Sequence, residues 1–324
     1  MKKILVLGGS GFVGRHLCEK LARASCRITV PTRRAANASA VQPLPGLTVL
    51  TADLFDDTQL RELVNGHDAV VNLVAILHGT EAAFERAHVT LPQKIAQACL
   101  AYGVKRLVHV SALGAELDGP SMYQRSKARG EAVLLAAGLD LTALRPSVIF
   151  GDGDRFLTLF AKLQQLAPLV PLAGASTRFQ PVWVEDVAQA IANCLLGAPH
   201  LASSATVGQR YDLCGPDVMT LAELVRFAGA ASGINGGRGR PVLPLPDALG
   251  RLQASLMRLM PGEPLLSQDN LDSMKVDNVC DGHLPGLAAL GIAPAALSAV
   301  APSYLSSATE LDRFRRSAGR SSGH

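Results

Sequence analysis

Ile4-Leu5-Val6-Leu7-Gly8-Gly9-Ser10-Gly11-Phe12-Val13-Gly14 is the stretch whose reading decides the fold. Four apolar residues in a row describe a short buried strand. Gly8, Gly11 and Gly14 follow at the spacing G-x-x-G-x-x-G, and Leu17 and Leu21 then continue from Val13 at steps of four, the apolar stripe of a helix. Strand, glycine turn and helix in that order give the pattern its meaning. Gly8 allows the tight turn, Gly11 lets a pyrophosphate come close to the backbone, and Gly14 lets the helix pack closely on the strand. The N–H groups at the helix start, around Phe12 and Val13, would face the phosphates. The stretch predicts a dinucleotide-binding βα unit.

Downstream, strand and helix alternate. Arg27–Val30, Leu47–Leu50, Ala69–Val74, Val104–Val110 and Leu141–Leu144 read as strands, with a long helix expected over 82–102. Alternation of this kind calls for an α/β fold: a Rossmann-type, doubly wound parallel sheet with helices on both faces. Ligands bind such sheets at the carboxyl ends of the strands. The expected organisation is a dinucleotide-binding core over 1–150, a mixed region over 151–308 that completes the core and forms a smaller C-terminal substrate lobe, and a flexible tail over 309–324. Phe179–Val184 reads as a further strand and Arg210–Leu213 as another, with a helix over Leu221–Ala231. Glu185 and Asp186 open a helix and read as partners of its dipole. Between prolines, Leu249, Leu252, Leu256, Leu259 and Met260 sit at helical spacing and read first as a core or lid helix, with Arg251 and Arg258 keeping a membrane-surface or partner-binding helix as the alternative.

The carboxyl edge collects the candidate binding residues. The second strand ends in Pro31-Thr32-Arg33-Arg34, without the acid that would bind the ribose hydroxyls of NAD. Arg33 and Arg34, with Arg15 as a third charge, suit a 2′-phosphate, so NADP(H) is expected ahead of NAD(H). Asp53 and Leu54 follow the third strand, where Asp53 would reach the adenine amino group or cap the next helix. Val74 and the small Ala75 end the fourth, where the chain would pass under the cofactor. Ser111 stands at the end of the fifth. Tyr123 and Lys127 then follow as Tyr-x-x-x-Lys, one turn apart on one helix face. A neighbouring ammonium favours the phenolate and would lower the tyrosine pKa from its usual value of about 10. Tyr123 could then exchange a proton with a substrate oxygen, with Ser111 bonding the same oxygen, while a nicotinamide carries hydride.

Composition closes off other classes. At 324 residues and 48% apolar, the chain can bury a sizeable core. A net charge of +4 with no basic stripe does not indicate nucleic acid. No apolar run is long enough to span a bilayer. The first strand begins near Lys3, which leaves no room for a leader and makes the cytoplasm the expected compartment. The arginine- and serine-rich end, 313–324, reads as solvated. The six cysteines form no C-x-x-C pair and read as buried thiols. The eight histidines do not cluster, so no metal is expected.

Taken together, Gly8/Gly11/Gly14, Asp53, Tyr123/Lys127, Arg145-Pro146 and Val182–Val187 resemble the short-chain dehydrogenase/reductase superfamily in its extended and atypical branches. Within it the chain is most similar to the atypical group that includes the NADPH-binding accessory subunit of respiratory complex I. Val104–Ala115, Tyr123–Glu131, Ser267–Val279, Leu290-Gly291-Ile292 and Ser303-Tyr304-Leu305 carry that closer likeness. The superfamily resemblance implies Tyr123 as general acid/base and Lys127 as holder of the nicotinamide ribose. Two positions depart from the pattern. His88 stands where extended members usually carry asparagine. The usual serine or threonine falls on Leu113 in one alignment and on Ser111 in the other. Three readings follow. The first is an NADP(H)-binding oxidoreductase acting on a small, apolar or lipid-like substrate. The second is a non-catalytic structural or assembly protein that associates peripherally with a membrane, at its inner face, or with a respiratory complex. The third is a nucleotide-sugar epimerase or dehydratase.

Overall fold

The computed structural model describes residues 1–257 and 266–306. In the first half, elements alternate as β1 (Lys3–Leu7), α1 (Phe12–Arg23), β2 (Arg27–Thr32), β3 (Leu47–Thr51), α2 (Asp57–Val64), β4 (Ala69–Asn72), α3 (Glu81–Glu85), α4 (Leu91–Ala101), β5 (Arg106–Val110), α5 (Met122–Leu135) and β6 (Asp140–Pro146). The second half holds β7 (Ile149–Phe150), α6 (Leu157–Leu166), β8 (Val170–Leu172), β9 (Arg178–Phe179), β10 (Val182–Trp183), α7 (Val184–Leu196), β11 (Arg210–Leu213), β12 (Met219–Thr220), α8 (Leu221–Ala231), β13 (Val242–Pro244), α9 (Asp247–Met257), α10 (Gln268–Ser273), α11 (Leu297–Val300) and α12 (Pro302–Leu305).

Seven strands form one sheet in the order β11-β6-β5-β4-β1-β2-β3, every neighbouring pair parallel. The order reverses at β1, which lies between β4 and β2. The apolar run of β1 is explained by burial on both sides. Ile4 and Val6 face a core with Leu17, Leu21, Val187 and Ile191, under α1 and α7. Leu5 and Leu7 face the opposite core with Leu60, Leu91, Ile95 and Leu134, under α2, α4 and α5. A further core, separate from these, joins Phe150, Phe160, Leu224, Val225 and Leu305 between α6, α8 and α12.

Several sequence expectations change. The long helix over 82–102 is broken by a single π turn, Arg86–Thr90. Pro92 lacks the N–H that would bond the carbonyl of His88, so the turn widens there. That carbonyl faces Gly130 of α5, where a Cβ would lie 1.7 Å from it. The strand expected over 179–184 is two short ones, β9 and β10, with Pro181 between them. Asp56, not Asp53, caps α2, accepting from Gln59 N–H at 3.0 Å. The leucine stripe of α9 is not core. Leu249 and Leu252 are 51% and 57% exposed, while Gly250 and Ala254 form the buried face. A Cβ at Gly250 would sit 2.5 Å from the Ala173 methyl, so only glycine fits there without a shift. Arg258, Leu259, Met260, the side chain of Leu256 and the tail over 309–324 lie outside the described residues.

The cysteine expectation is corrected in part. Cys18, Cys26, Cys99 and Cys194 are buried thiols, but Cys214 and Cys280 are joined as a disulfide with Cα atoms 6.4 Å apart. Cys214 follows β11, and Gln180 holds the second segment beside it, bonding Gly215 O at 2.7 Å and Cys280 N–H at 3.0 Å. Closing a 66-residue separation contributes about 4 kcal/mol in the chain-entropy account.

Glu185 has a more specific partner than a helix dipole. Its carboxylate is bonded by His16 Nδ1 at 2.6 Å and paired with Lys20 at 2.7 Å, which ties α7 to α1. The His16 hydrogen bond chiefly, with Lys20, holds its pKa down at about 2 against the burial that opposes it. The folded pKa lies below the ordinary value of 4.5, so this stabilisation is complete above pH 4.5 and is lost as pH falls towards 2. Glu185→Gln is therefore expected to shrink the stability drop between pH 5 and pH 2 in urea titrations. An unchanged drop would remove Glu185 from the account.

Candidate functional site

The glycine turn is a cradle with no room for side chains. Gly8 has φ +84° and its Cα approaches Leu73 at the end of β4, where a Cβ would meet that residue at 3.2 Å. A Cβ on Gly14 would fall 2.3 Å from Gly8 O and 2.5 Å from Gly9 Cα. Helix α1 thus starts hard against the turn, with the Phe12 and Val13 ends of its backbone at the carboxyl edge. No side chain caps this start. An anion at that helix terminus is the partner such a geometry suits.

The other expected binding residues lie on the same edge, because β2 and β4 flank β1. Arg33 and Arg34 are exposed directly after β2, and neither guanidinium meets a carboxylate among the described residues. Asp53 is exposed after β3, with Oδ1 accepting from Phe55 N–H at 3.0 Å, and Leu54 beside it is half-buried. Val74 is half-buried and Ala75 exposed after β4. Arg15 reaches across the edge. Its guanidinium donates to the Asp152 carbonyl and lies 5.6 Å from the Phe12 ring centroid.

Tyr123 and Lys127 sit in the first two turns of α5. Ser121 opens the helix with a capping box, accepting from Gln124 N–H at 3.1 Å. Lys127 is 2% exposed and donates from Nζ to Val110 O, the last carbonyl of β5, at 2.8 Å. Burial pulls its pKa down to about 8, opposed by the nearby Glu131 carboxylate. Burial also pushes Tyr123 up to about 12, the opposite of the lowering that the Lys127 ammonium alone would give. Ser111 is buried, and its Oγ has no hydrogen-bond partner among the described residues. Leu113 is held close by, its N–H on Pro146 O at 2.9 Å. The unpartnered Ser111 hydroxyl and the glycine cradle fit a nicotinamide dinucleotide laid along this edge.

Residues whose contacts the sequence did not show complete the site. His88 sits in the π turn. Its Nε2 accepts from Ile76 N–H at 3.0 Å and its Nδ1 is 2.8 Å from Ser126 Oγ. Ser126 in turn donates to Tyr123 O at 2.9 Å, so the ring is neutral with the proton on Nδ1. Burial first, then Lys127, drives its pKa to about 3. The imidazole stands edge-on to the Tyr123 ring, centroids 5.5 Å apart, so it packs the tyrosine rather than charging it. Asn72 joins β4 to β5 through His109 at 3.1 Å and accepts from Val74 N–H at 3.1 Å, which sets the loop after β4.

The stretch Ser267–Val279 is the stitch between the two halves. Asp269, from α10, accepts from Met122 N–H at 2.6 Å and Tyr123 N–H at 3.1 Å, and so caps α5 across a long sequence gap. Asn278 Oδ1 accepts from Ser147 Oγ at 2.6 Å, and its Nδ2 donates to Leu113 O at 3.4 Å. The polar pattern of this stretch was a visible signal, but the targets of Asp269 and Asn278 lie some 130 or more residues away.

A doubly wound parallel sheet with a glycine turn at its switch point and Tyr-x-x-x-Lys on the helix after β5 is the architecture of the extended short-chain dehydrogenase/reductase superfamily. The model of the NAD dependent epimerase/dehydratase family matches residues 4–200, and this chain belongs to that family. It is 33% identical over 301 residues to the NADH dehydrogenase [ubiquinone] 1 alpha subcomplex subunit 9, mitochondrial, of Mus musculus, spanning 90% of this chain and 76% of that one. It is 27% identical over 305 residues to a 2-alkyl-3-oxoalkanoate reductase of Stenotrophomonas maltophilia, spanning 87% and 90%. Among solved structures, a nucleoside-diphosphate-sugar epimerase from Staphylococcus aureus superposes with a TM-score of 0.71 at 17% identity, over 94% and 99% of the two chains. No helix among the described residues is long and apolar enough to cross a membrane, and no group of side chains among them could hold a metal.

Asp269 yields a stability test. Asp269→Ala leaves two N–H groups at the start of α5 without acceptors and is expected to cost about 2 kcal/mol in urea unfolding. Asp269→Asn keeps one acceptor oxygen and should recover part of the loss. Wild-type stability in both variants would show that this cap contributes nothing.

Proposed function

We propose that this protein binds NADP(H) along the carboxyl edge of the sheet and reduces a carbonyl group on an apolar, lipid-like compound. One observation carries the reading: Tyr123 and Lys127 stand one turn apart on α5, and Lys127 bonds the carbonyl of Val110, next to Ser111, whose buried hydroxyl has no partner among the described residues. Arg33 and Arg34, exposed after β2 with no acid beside them, favour the 2′-phosphate of NADP(H). The dihydronicotinamide would supply hydride. Tyr123 would give its phenolic proton to the carbonyl oxygen. A phenol whose pKa is raised to about 12 is protonated at neutral pH and so would carry the proton that reduction needs. Lys127 would hold the nicotinamide ribose. The likeness to a 2-alkyl-3-oxoalkanoate reductase supports the same chemistry.

A second reading has its own support. Leu113 lies near where the superfamily places a hydroxyl, and Lys127 already spends a hydrogen bond on Val110 O. The similarity to the mouse complex I subunit runs through nearly the whole chain. On this reading NADP(H) is held as a structural element in a protein that docks peripherally on a respiratory complex, and contributes about 2.7 kcal/mol at a hundredfold excess over its dissociation constant.

Nucleotide released from freshly purified protein, and titration with NADPH and NADH, separate the cases. Arg33→Ala is expected to weaken NADPH binding by about tenfold or more, with a far smaller loss for NADH. Equal losses would sink the NADP(H) preference. With aliphatic ketones as substrates, Tyr123→Phe should lower kcat at least about a hundredfold with NADPH affinity intact. Tight NADPH that raises Tm and never turns over would favour the structural role.

A further inference from the structure

A cavity in the C-terminal half, away from the cofactor edge, has walls more apolar than polar, with the hydroxyls of Ser176, Thr177 and Thr220 among them. It measures about 440 Å³, within the range of small-molecule sites. Ala175, Ala222, Pro244, Leu245, Leu271 and Met274 supply the apolar lining. Lys275 and Asp247 are the charged groups on its wall. The frame is well tied: Ala222 N–H bonds Ala175 O at 3.0 Å, Leu245 N–H bonds Leu172 O at 2.9 Å, and Thr177 Oγ1 donates to Met274 O at 2.7 Å.

Helix α10 connects this cavity to the candidate site. Its first turn carries Asp269, which caps the helix of Tyr123. Leu271 and the C-cap Met274, at its other end, line the cavity. At 1.5 Å per residue the helix is about 9 Å long. The chain flanking the lining residues is also apolar and uncovered: Leu243, just before Pro244, is 48% exposed, and Leu249, just after Asp247, is 51% exposed.

We propose that this cavity holds the aliphatic chain of the ligand whose carbonyl is presented to Tyr123. The inference rests on the carbonyl-reductase reading and names its substrate class: an unbranched chain with a carbonyl near one end. The small residues Ala175 and Ala222 leave the space that the chain fills, and a ligand seated there bears on α10, the element that fixes the start of the catalytic helix. Recognition is by apolar area, so affinity follows chain length.

The test is calorimetric binding of 2-alkanones from six to fourteen carbons to the NADP⁺-loaded protein, with no turnover required. Affinity should rise about fourfold per methylene until the cavity is full, then level off. Ala222→Phe, which fills the cavity, should lower the affinity of the longest tight binder at least tenfold and flatten the series. Leu245→Asn, at a half-exposed position less prone to disturb folding, should weaken it severalfold, and it decides the matter if Ala222→Phe does not fold. Binding that ignores chain length, or a series unchanged in a folded variant, overturns the proposal. NADPH titration of the same samples keeps the two readings apart: intact NADPH binding with a flat alkanone series removes the cavity assignment alone, whereas loss of nucleotide binding in the wild type removes the reductase reading beneath it.

Discussion

The site depends on one close approach, between the backbone of α5 at Gly130 and the carbonyl oxygen of His88. Nothing larger than hydrogen fits at Gly130, since a Cβ would lie 1.7 Å from that oxygen. Pro92 leaves the oxygen without its helical partner, and the π turn that results brings the His88 ring against α5. His88 then bonds the loop after β4 on one side and Ser126 on the other. Tyr123 is thereby packed by a neutral imidazole, capped by Asp269 and followed one turn later by Lys127 on the β5 edge.

Much of the fold was legible because the governing signals are local. The β1 run, the glycine spacing and the α1 stripe follow from backbone sterics and two-sided burial within one short window, and the seven-stranded parallel sheet follows from repeating that unit. Tyr123 and Lys127 were legible for the same reason, as neighbours on one helix. The illegible parts are those decided by partners far away in sequence. Asp269 and Asn278 look like ordinary polar residues until α10 and the 278 segment arrive at α5 and at Leu113. The Cys214–Cys280 pair carried no spacing motif and depends on Gln180 bringing two separate segments together. In α9 the leucines share a helical spacing, yet Gly250 and Ala254 are the residues that meet Ala173 and its neighbours. A hydrophobic stripe says that a face is apolar, not that something covers it.

The electrostatics of Tyr123 corrected the sequence argument in a way that bears on chemistry. An ammonium one turn away lowers a phenol's pKa only if the field outweighs the loss of water around the phenolate. Here both groups are enclosed. Burial raises the tyrosine to about 12 and draws the lysine down to about 8, so desolvation dominates each. The His88 ring adds no charge to help. A site tuned in this direction keeps the proton on Tyr123 until a stronger base appears next to it. On the reductase reading, the alkoxide formed when hydride reaches a carbonyl carbon would be such a base.

On the same reading, Ser111 and Leu113 would set how much stabilisation that developing oxyanion receives. A buried hydroxyl without a partner costs on the order of 1–3 kcal/mol, and Ser111 Oγ is in that state. The cost would be offset by a polar ligand atom, which is the role the reductase reading gives this hydroxyl. Leu113 is arranged the other way: its backbone is bonded at both ends, to Pro146 O and by Asn278, and its side chain offers only apolar surface. An oxygen held by Tyr123 and Ser111 has two donors, and one held by Tyr123 beside Leu113 has a single donor and a dry wall. Loss of one such donor commonly costs a hundredfold or more in rate. On the reductase reading, the rate would therefore depend on which of these two residues meets the substrate oxygen.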